Sequence, residues 1–118
     1  MNKLVFQITK PTPVMSIKRF SPPVRAVARI SAELCFVTLD ELLSRRKPAN
    51  FVRARALAIW GVKTLRPDLS YPQIGSQLNR QEHTTLLHQY RLALKLRESD
   101  PDFLNLCHDL LAQVSAEL

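Results

Sequence analysis

The 118-residue sequence carries 17 Lys and Arg residues against 10 Asp and Glu, a net charge of +7, and contains only two glycines. This length predicts a single domain with a modest core. Loops that bind nucleotide phosphates need glycines at short fixed spacing, and Gly61 and Gly75 lie too far apart to form one. We therefore expect no ATPase within these residues.

The composition also argues against a membrane or secreted protein. No stretch reaches the roughly 18 consecutive apolar residues of a membrane span, and the first ten residues lack the apolar core of a secretory signal. Cys35 and Cys107 stand without metal-ligand or redox spacing, so we expect two buried, reduced thiols. These features predict a cytoplasmic protein without disulfide, cofactor or membrane contact.

The positive charge is clustered along the chain. Residues 1–30 carry six basic residues and no acidic one, and residues 42–67 carry seven basic residues and no acidic one. The last 18 residues, in contrast, carry three acidic side chains. Clusters of one sign are typical of proteins that bind a polyanion. A solvated surface is the alternative, but the run in residues 42–67 is mostly arginine within a folded region, which favours nucleic acid.

Prolines mark the start of the predicted domain. Four of the eight prolines precede Val24, and proline removes a backbone donor and disfavours helix in the residue before it. We therefore expect residues 1–23 to be a flexible basic arm and residues 24–118 to be the helical domain. The arm either adds phosphate contacts or is a leader without a role, and its charge favours the first reading.

Helical periodicity predicts the first half of the domain. Residues 24–36 fit an amphipathic helix, and Thr38 is placed to cap a short helix over residues 39–46, with acidic residues in its first turn. The next helix covers residues 51–66. Its apolar arc predicts one face for the core, and Arg55, Lys63 and Arg66 lie on a separate arc that we expect to face anions.

Three further helices complete the domain. Ser70 is placed to cap a short helix, the polar turn after it contains Asn79, which tolerates left-handed backbone, and a longer helix covers residues 81–98. A last helix follows residues 99–101. Because no segment shows sustained β alternation, the predicted fold is all-α with about six helices.

Residues 70–90 carry the functional signal. A short helix, a tight polar turn and a longer helix that opens with Glu82-His83-Thr84-Thr85 are typical of a helix-turn-helix motif, whose second helix enters the major groove of DNA. Periodicity alone makes His83 a capping or partly buried histidine, whereas the end-on approach of a recognition helix makes it a DNA contact.

The segments Ile74-Gly75 and Glu82-His83-Thr84-Thr85-Leu86-Leu87-His88, preceded by Arg53-Ala54-Arg55, resemble the C-terminal DNA-binding domain (domain IV) of the bacterial replication initiator DnaA. The resemblance covers roughly residues 24–111. It implies a helical bundle with a helix-turn-helix similar to that of the Trp repressor, and binding to asymmetric boxes of the TTATNCACA type. It also implies a role in control of replication initiation, here without the initiator's ATPase domain.

The resemblance, together with the charge pattern, assigns two groups of DNA contacts. The expected base contacts are Arg55, Glu82, His83, Thr84 and Thr85. The expected contacts to the DNA backbone or minor groove are Arg45, Arg46, Lys47, Arg53, Lys63, Arg80 and Gln81. Asn79-Arg80-Gln81 stands where the family has Gly-Gly-Arg, and Glu82 where it has aspartate, so a shifted or weaker box preference is expected.

Other functions fit the sequence less well. We expect no metal site from the three histidines and no enzyme, because no nucleophile or metal motif accompanies them. The altered turn and the acidic last helix favour one alternative, a protein-interaction module that has kept the initiator scaffold and lost specific DNA binding. The expected partners are double-stranded DNA and, as further candidates, replication initiator proteins, and we expect a monomer.

Overall fold

The computed structural model describes residues 22–79 and 81–117, and every regular element in these ranges is a helix. The helices are α1 (Val24–Leu34), α2 (Leu39–Leu43), α3 (Ala49–Leu65), α4 (Tyr71–Gln77), α5 (His83–Ser99) and α6 (Pro101–Glu117). The predicted all-α fold with about six helices is confirmed. The predicted arm, apart from its last two prolines, lies outside the described residues, as does Arg80.

Local capping determines where several helices begin. Before α2, the Thr38 Oγ1 accepts a hydrogen bond from the Glu41 backbone N–H at 3.0 Å, and the Glu41 carboxylate accepts one from the Thr38 N–H at 2.9 Å. Ser70 and Gln73 form the same reciprocal pair at the start of α4. Each pair satisfies two backbone donors that a helix start would leave without partners. The predicted caps at Thr38 and Ser70 are confirmed.

The central helix of the bundle is α3, and α1, α5 and α6 pack around it. Every residue from Ala54 to Val62 is buried. Arg55, which lies on the arc predicted to face anions, is only 7% exposed and is therefore not a solvated side chain. Arg66, from the same arc, donates hydrogen bonds to both carboxylate oxygens of Asp68 and to the Pro22 carbonyl oxygen. Of the three, Lys63 is the one left without a partner of that kind among the described residues.

The close packing of three helices depends on Gly61 in α3. A Cβ atom at this position would lie 2.5 Å from the Leu110 Cδ2 of α6 and 3.0 Å from the Val27 Cγ1 of α1. The core extends from this crossing to both cysteines, which are buried free thiols as predicted. Burial raises the pKa of the Cys35 thiol to about 11.

Candidate nucleic-acid interface

The turn between α4 and α5 fixes where the second helix of the helix-turn-helix begins. Asn79 adopts left-handed backbone with φ 61°, the conformation that the sequence predicts for asparagine here. The backbone N–H groups of Leu78 and Gln81 both donate to the Gly75 carbonyl oxygen, at 3.1 and 3.2 Å. A Cβ on Gly75 would lie 2.3 Å from the Gln81 carbonyl oxygen, so the turn closes only over a glycine.

The first turn of α5 faces solvent. Residues 82–85 are all exposed, whereas the next residue, Leu86, is fully buried and fastens the helix to the core. Glu82 stands at the N-cap without a side-chain hydrogen bond to the helix. Since the first backbone N–H groups of a helix have no partner within it, this end offers exposed donors beside Thr84 and Thr85. The partly buried His83 that periodicity favours is not found.

A groove of about 850 Å³ separates the start of α5 from the loop between α2 and α3. It brings together residues from three parts of the chain. Six of the predicted DNA contacts line it: Arg45, Lys47, Arg55, Gln81, Glu82 and Thr85. The groove also contains His88 and Gln89, which were not among the predicted contacts. Their spacing of three and four residues from Thr85, on one face of the helix, is the signal that could have found them.

Arg55 connects this groove to the backbone at the end of α2 and at the start of the basic loop, residues 44–47. Its Nε donates to the Leu42 carbonyl oxygen at 2.6 Å, and its Nη2 donates to the carbonyl oxygens of Glu41 and Ser44 at 3.1 and 2.6 Å. Burial lowers the pKa of the guanidinium from its ordinary value. These bonds occupy the last carbonyls of α2, and Ser44 turns to extended backbone. The predicted continuation of α2 to residue 46 is therefore wrong, and residues 44–47 form a loop held against α3.

Not every predicted contact lies at this groove. The Arg53 Nη1 lies 2.8 Å from the Asp100 Oδ2, and the guanidinium stands over the Phe103 ring. Both partners belong to the junction of α5 and α6, so Arg53 faces a different side of α3 from Arg55. Arg46 is exposed and stands 5.4 Å from the centroid of the Phe51 ring.

Comparison with known proteins decides the family. Residues 24–92 match the family described as "Bacterial dnaA protein helix-turn-helix". The chain belongs to the DnaA helix-turn-helix family. The resemblance predicted from the sequence is thus confirmed, and the matched residues include every residue that lines the groove.

The relatives are proteins named "Chromosomal replication initiator protein DnaA". The one from Acinetobacter baumannii is 30% identical over 90 residues, which cover 76% of this chain, and the one from Nitrosospira multiformis is 31% identical over 101 residues, which cover 82%. The Symbiobacterium thermophilum protein is 27% identical over 123 residues, which cover 98%. The chain spans 19%, 21% and 27% of these relatives in turn.

A second group of predicted contacts in this DnaA helix-turn-helix domain meets on the other flank of α5. The His83 ring stacks on the Tyr71 ring, with centroids 4.8 Å apart and an interplanar angle of 24°. The Lys63 Nζ lies 4.5 Å from the centroid of the same Tyr71 ring. The sequence did not indicate Tyr71, because a tyrosine at the first position of a short helix carries no pattern that points to a partner on another helix.

Two other kinds of feature are absent from the described part of the chain. Residues 22–79 and 81–117 contain no group of three or more His, Cys, Asp or Glu side chains that could hold a metal ion. None of the helices described there is long and apolar enough to cross a membrane. The DnaA helix-turn-helix is a DNA-binding domain, and the groove beside α5 is its candidate interface.

Proposed function

We propose that this protein binds double-stranded DNA sequence-specifically, at sites like the DnaA box. The first turn of α5 enters the major groove of the DNA. The basic loop of residues 44–47 lies along the sugar-phosphate backbone and the adjacent minor groove. The observation that carries the proposal is the groove between these two segments, since it places an exposed helix start beside a basic loop. A recognition helix with flanking cationic contacts is the general arrangement of helix-turn-helix proteins on DNA.

Base recognition is assigned to the exposed start of α5. Thr84 and Thr85 offer hydroxyl groups that hydrogen-bond to base edges, and methyl groups that contact thymine methyls. The Glu82 carboxylate can accept a hydrogen bond from the cytosine amino group. His83 contributes a ring nitrogen from the same turn. Arg55 contributes to base recognition through its Nη1, which makes no hydrogen bond to the described residues, while its other nitrogens hold the loop.

Contacts to phosphate fix the position of the domain without reading sequence. Arg45, Arg46 and Lys47 are consecutive and exposed, and we assign Lys47 to the minor groove. Lys63 and Gln81 flank the start of α5 and are assigned to the DNA backbone. The proposed backbone contacts also include Arg53, after release from Asp100, and Arg80.

The relatives' name supports a proposal for the biological role. We propose that the protein acts in the control of replication initiation, as a non-enzymatic monomer that occupies box-like sites on the chromosome in the cytoplasm. Replication initiator proteins are candidate partners, and they would also compete for the same sites. No glycine-rich nucleotide loop is present in these residues, so the activity proposed for them is DNA binding and not ATP-driven opening of the duplex.

Fluorescence anisotropy with a TTATNCACA-type duplex and a scrambled duplex, over a series of salt concentrations, tests the proposal. We expect at least about tenfold tighter binding to the box, a threshold below the usual ratio of about 10³–10⁷ because the altered turn and Glu82 predict a weaker box preference. Equal affinity for both duplexes would contradict specific recognition.

Three single variants separate the assigned roles. Thr85→Ala should cost about 1–3 kcal/mol on the box duplex and relax discrimination. Lys63→Ala should weaken binding to both duplexes alike and reduce the salt dependence by about one counterion. Lys95→Ala is the matched control, because Lys95 is an exposed lysine of α5 that does not line the groove.

The competing function is a protein-interaction module without specific DNA binding. Two sequence features favour it, the altered turn and the acidic last helix. Asn79 closes the turn with the left-handed backbone that the turn requires, so the first feature no longer argues against DNA binding. The acidic α6 is the feature that still favours this alternative. Capture of an initiator protein that survives nuclease treatment, combined with no duplex binding at low salt, would favour this module over the DNA-binding function.

A further inference from the structure

Tyr71 lies where three helices meet. It is the first residue of α4, Lys63 is in the last turns of α3, and His83 is the first residue of α5. The Tyr71 ring contacts the His83 ring at a centroid distance of 4.8 Å and the Lys63 Nζ at 4.5 Å. The two side chains that it touches are both assigned to DNA in the proposed function, one to a base and one to phosphate.

The Tyr71 ring is a firm support for these two neighbours. It is partly buried and packs against the hydrophobic core, and its backbone is fixed by the reciprocal hydrogen bonds between Ser70 and Gln73. A near-parallel stack at this distance is an attractive aromatic geometry. An ammonium group over the ring face is attracted by the quadrupole of the ring. The contacts therefore act on His83 and Lys63 more than on Tyr71.

His83, in contrast, has few other restraints. The residue is exposed, and α5 begins beside it without a side-chain cap. A side chain that is free in solution loses rotamer entropy when it is fixed against DNA, and restraint before binding reduces that cost. Stacking on Tyr71 supplies such a restraint at the start of the recognition helix.

We infer that Tyr71 is a positioning residue for DNA recognition. Its ring holds the His83 imidazole and the Lys63 ammonium in the orientation used on DNA, so discrimination between sites depends on a side chain that itself reads no base. This inference rests on the proposed function, and it adds to that function a residue that neither the sequence pattern nor the groove identifies.

The experiment compares Tyr71→Leu, which removes the ring, with Tyr71→Phe, which keeps it. Tyr90→Leu is the control for a general loss of stability. It removes the chain's only other tyrosine, which lies in α5 two turns after His83. In NMR spectra of the free protein, the His83 ring protons should be shifted by the tyrosine ring current in the wild type and in Tyr71→Phe, but not in Tyr71→Leu. On the box duplex, Tyr71→Leu should bind about 3–10-fold more weakly than the wild type, with a smaller loss on the scrambled duplex. Tyr71→Phe should bind like the wild type.

The possible results separate this inference from the function on which it rests. If the wild type discriminates between the duplexes and Tyr71→Leu discriminates equally well, the inference is wrong and the proposed function stands. An equal loss in Tyr71→Leu and Tyr90→Leu, or in Tyr71→Leu and Tyr71→Phe, would also overturn it, because ring stacking would not be the cause. If the wild type itself does not discriminate, both fail, and the histidine shifts then report only that the stack exists.

Discussion

Replacement of Arg55 tests how the basic loop is held. In Arg55→Met the side chain keeps apolar bulk but loses the guanidinium, which leaves the carbonyl oxygens of Leu42 and Ser44 without this donor. The Glu41 carbonyl oxygen keeps its hydrogen bonds from the backbone N–H and the hydroxyl of Ser44. A hydrogen bond to a charged group contributes about 1.5–3 kcal/mol. Part of that is recovered, because Ser44 is only half-buried and its carbonyl can be hydrated. We therefore expect a loss of about 3 kcal/mol in the free energy of unfolding, which corresponds to roughly 12–24 °C in Tm for a domain of this size.

Urea unfolding followed by Trp60 fluorescence measures this loss, because Trp60 is the single tryptophan and is buried in α3. Arg45→Ala is the matched control, since Arg45 lines the same groove but is exposed; its stability should change by no more than about 0.5 kcal/mol. Both variants should bind DNA more weakly, Arg55→Met because the loop loses its support. If Arg55→Met unfolds at the wild-type urea midpoint, Arg55 does not support the loop, and any loss of discrimination between duplexes then comes from its base contact alone.

Three further predictions concern stability and reactivity. Gly75→Ala should destabilise the domain by about 1–3 kcal/mol and weaken DNA binding, since its Cβ would lie 2.3 Å from a backbone oxygen; unchanged urea unfolding would contradict the tight turn. The hydrogen bond from Arg53 lowers the pKa of the Asp100 carboxyl below its ordinary 3.8, so its stabilisation is present above that pH and is lost as pH falls toward the folded-state pKa. Asp100→Asn should accordingly show less acid destabilisation in thermal melts between pH 7 and pH 3 than the wild type. The Cys35 thiol should react with iodoacetamide at pH 8 only after unfolding, because burial raises its pKa to about 11, and rapid labelling of the native protein would argue against its burial.

Local signals in the sequence were sufficient for the helix starts and for the turn. Thr38 and Ser70 cap helices through bonds to residues three positions away, and Asn79 adopts the backbone that its own side chain favours. The exposed threonines at the start of α5 follow from the same short-range pattern. Each of these features depends on neighbours within one turn of the chain, which explains why the sequence predicts them.

Features that depend on contacts between helices were not predictable in this way. A helical projection places Arg55 on a polar arc, and only the carbonyls of residues 41–44, more than ten positions earlier, make its burial possible. Arg53 is taken from the candidate interface by Asp100, which is 47 residues away. The stack of Tyr71 and His83 likewise joins two helices. In each case a partner from elsewhere in the fold decides where a polar side chain lies.

The groove between residues 44–47 and the start of α5 is the proposed DNA interface. Amide chemical-shift mapping of the 15N-labelled protein, titrated with the TTATNCACA-type duplex, tests it most directly. We predict that the largest shifts occur at residues 44–47 and 81–85, with little change in α6, which contributes no residue to the groove. Largest shifts in α6, or equal shifts with the scrambled duplex, would contradict the account.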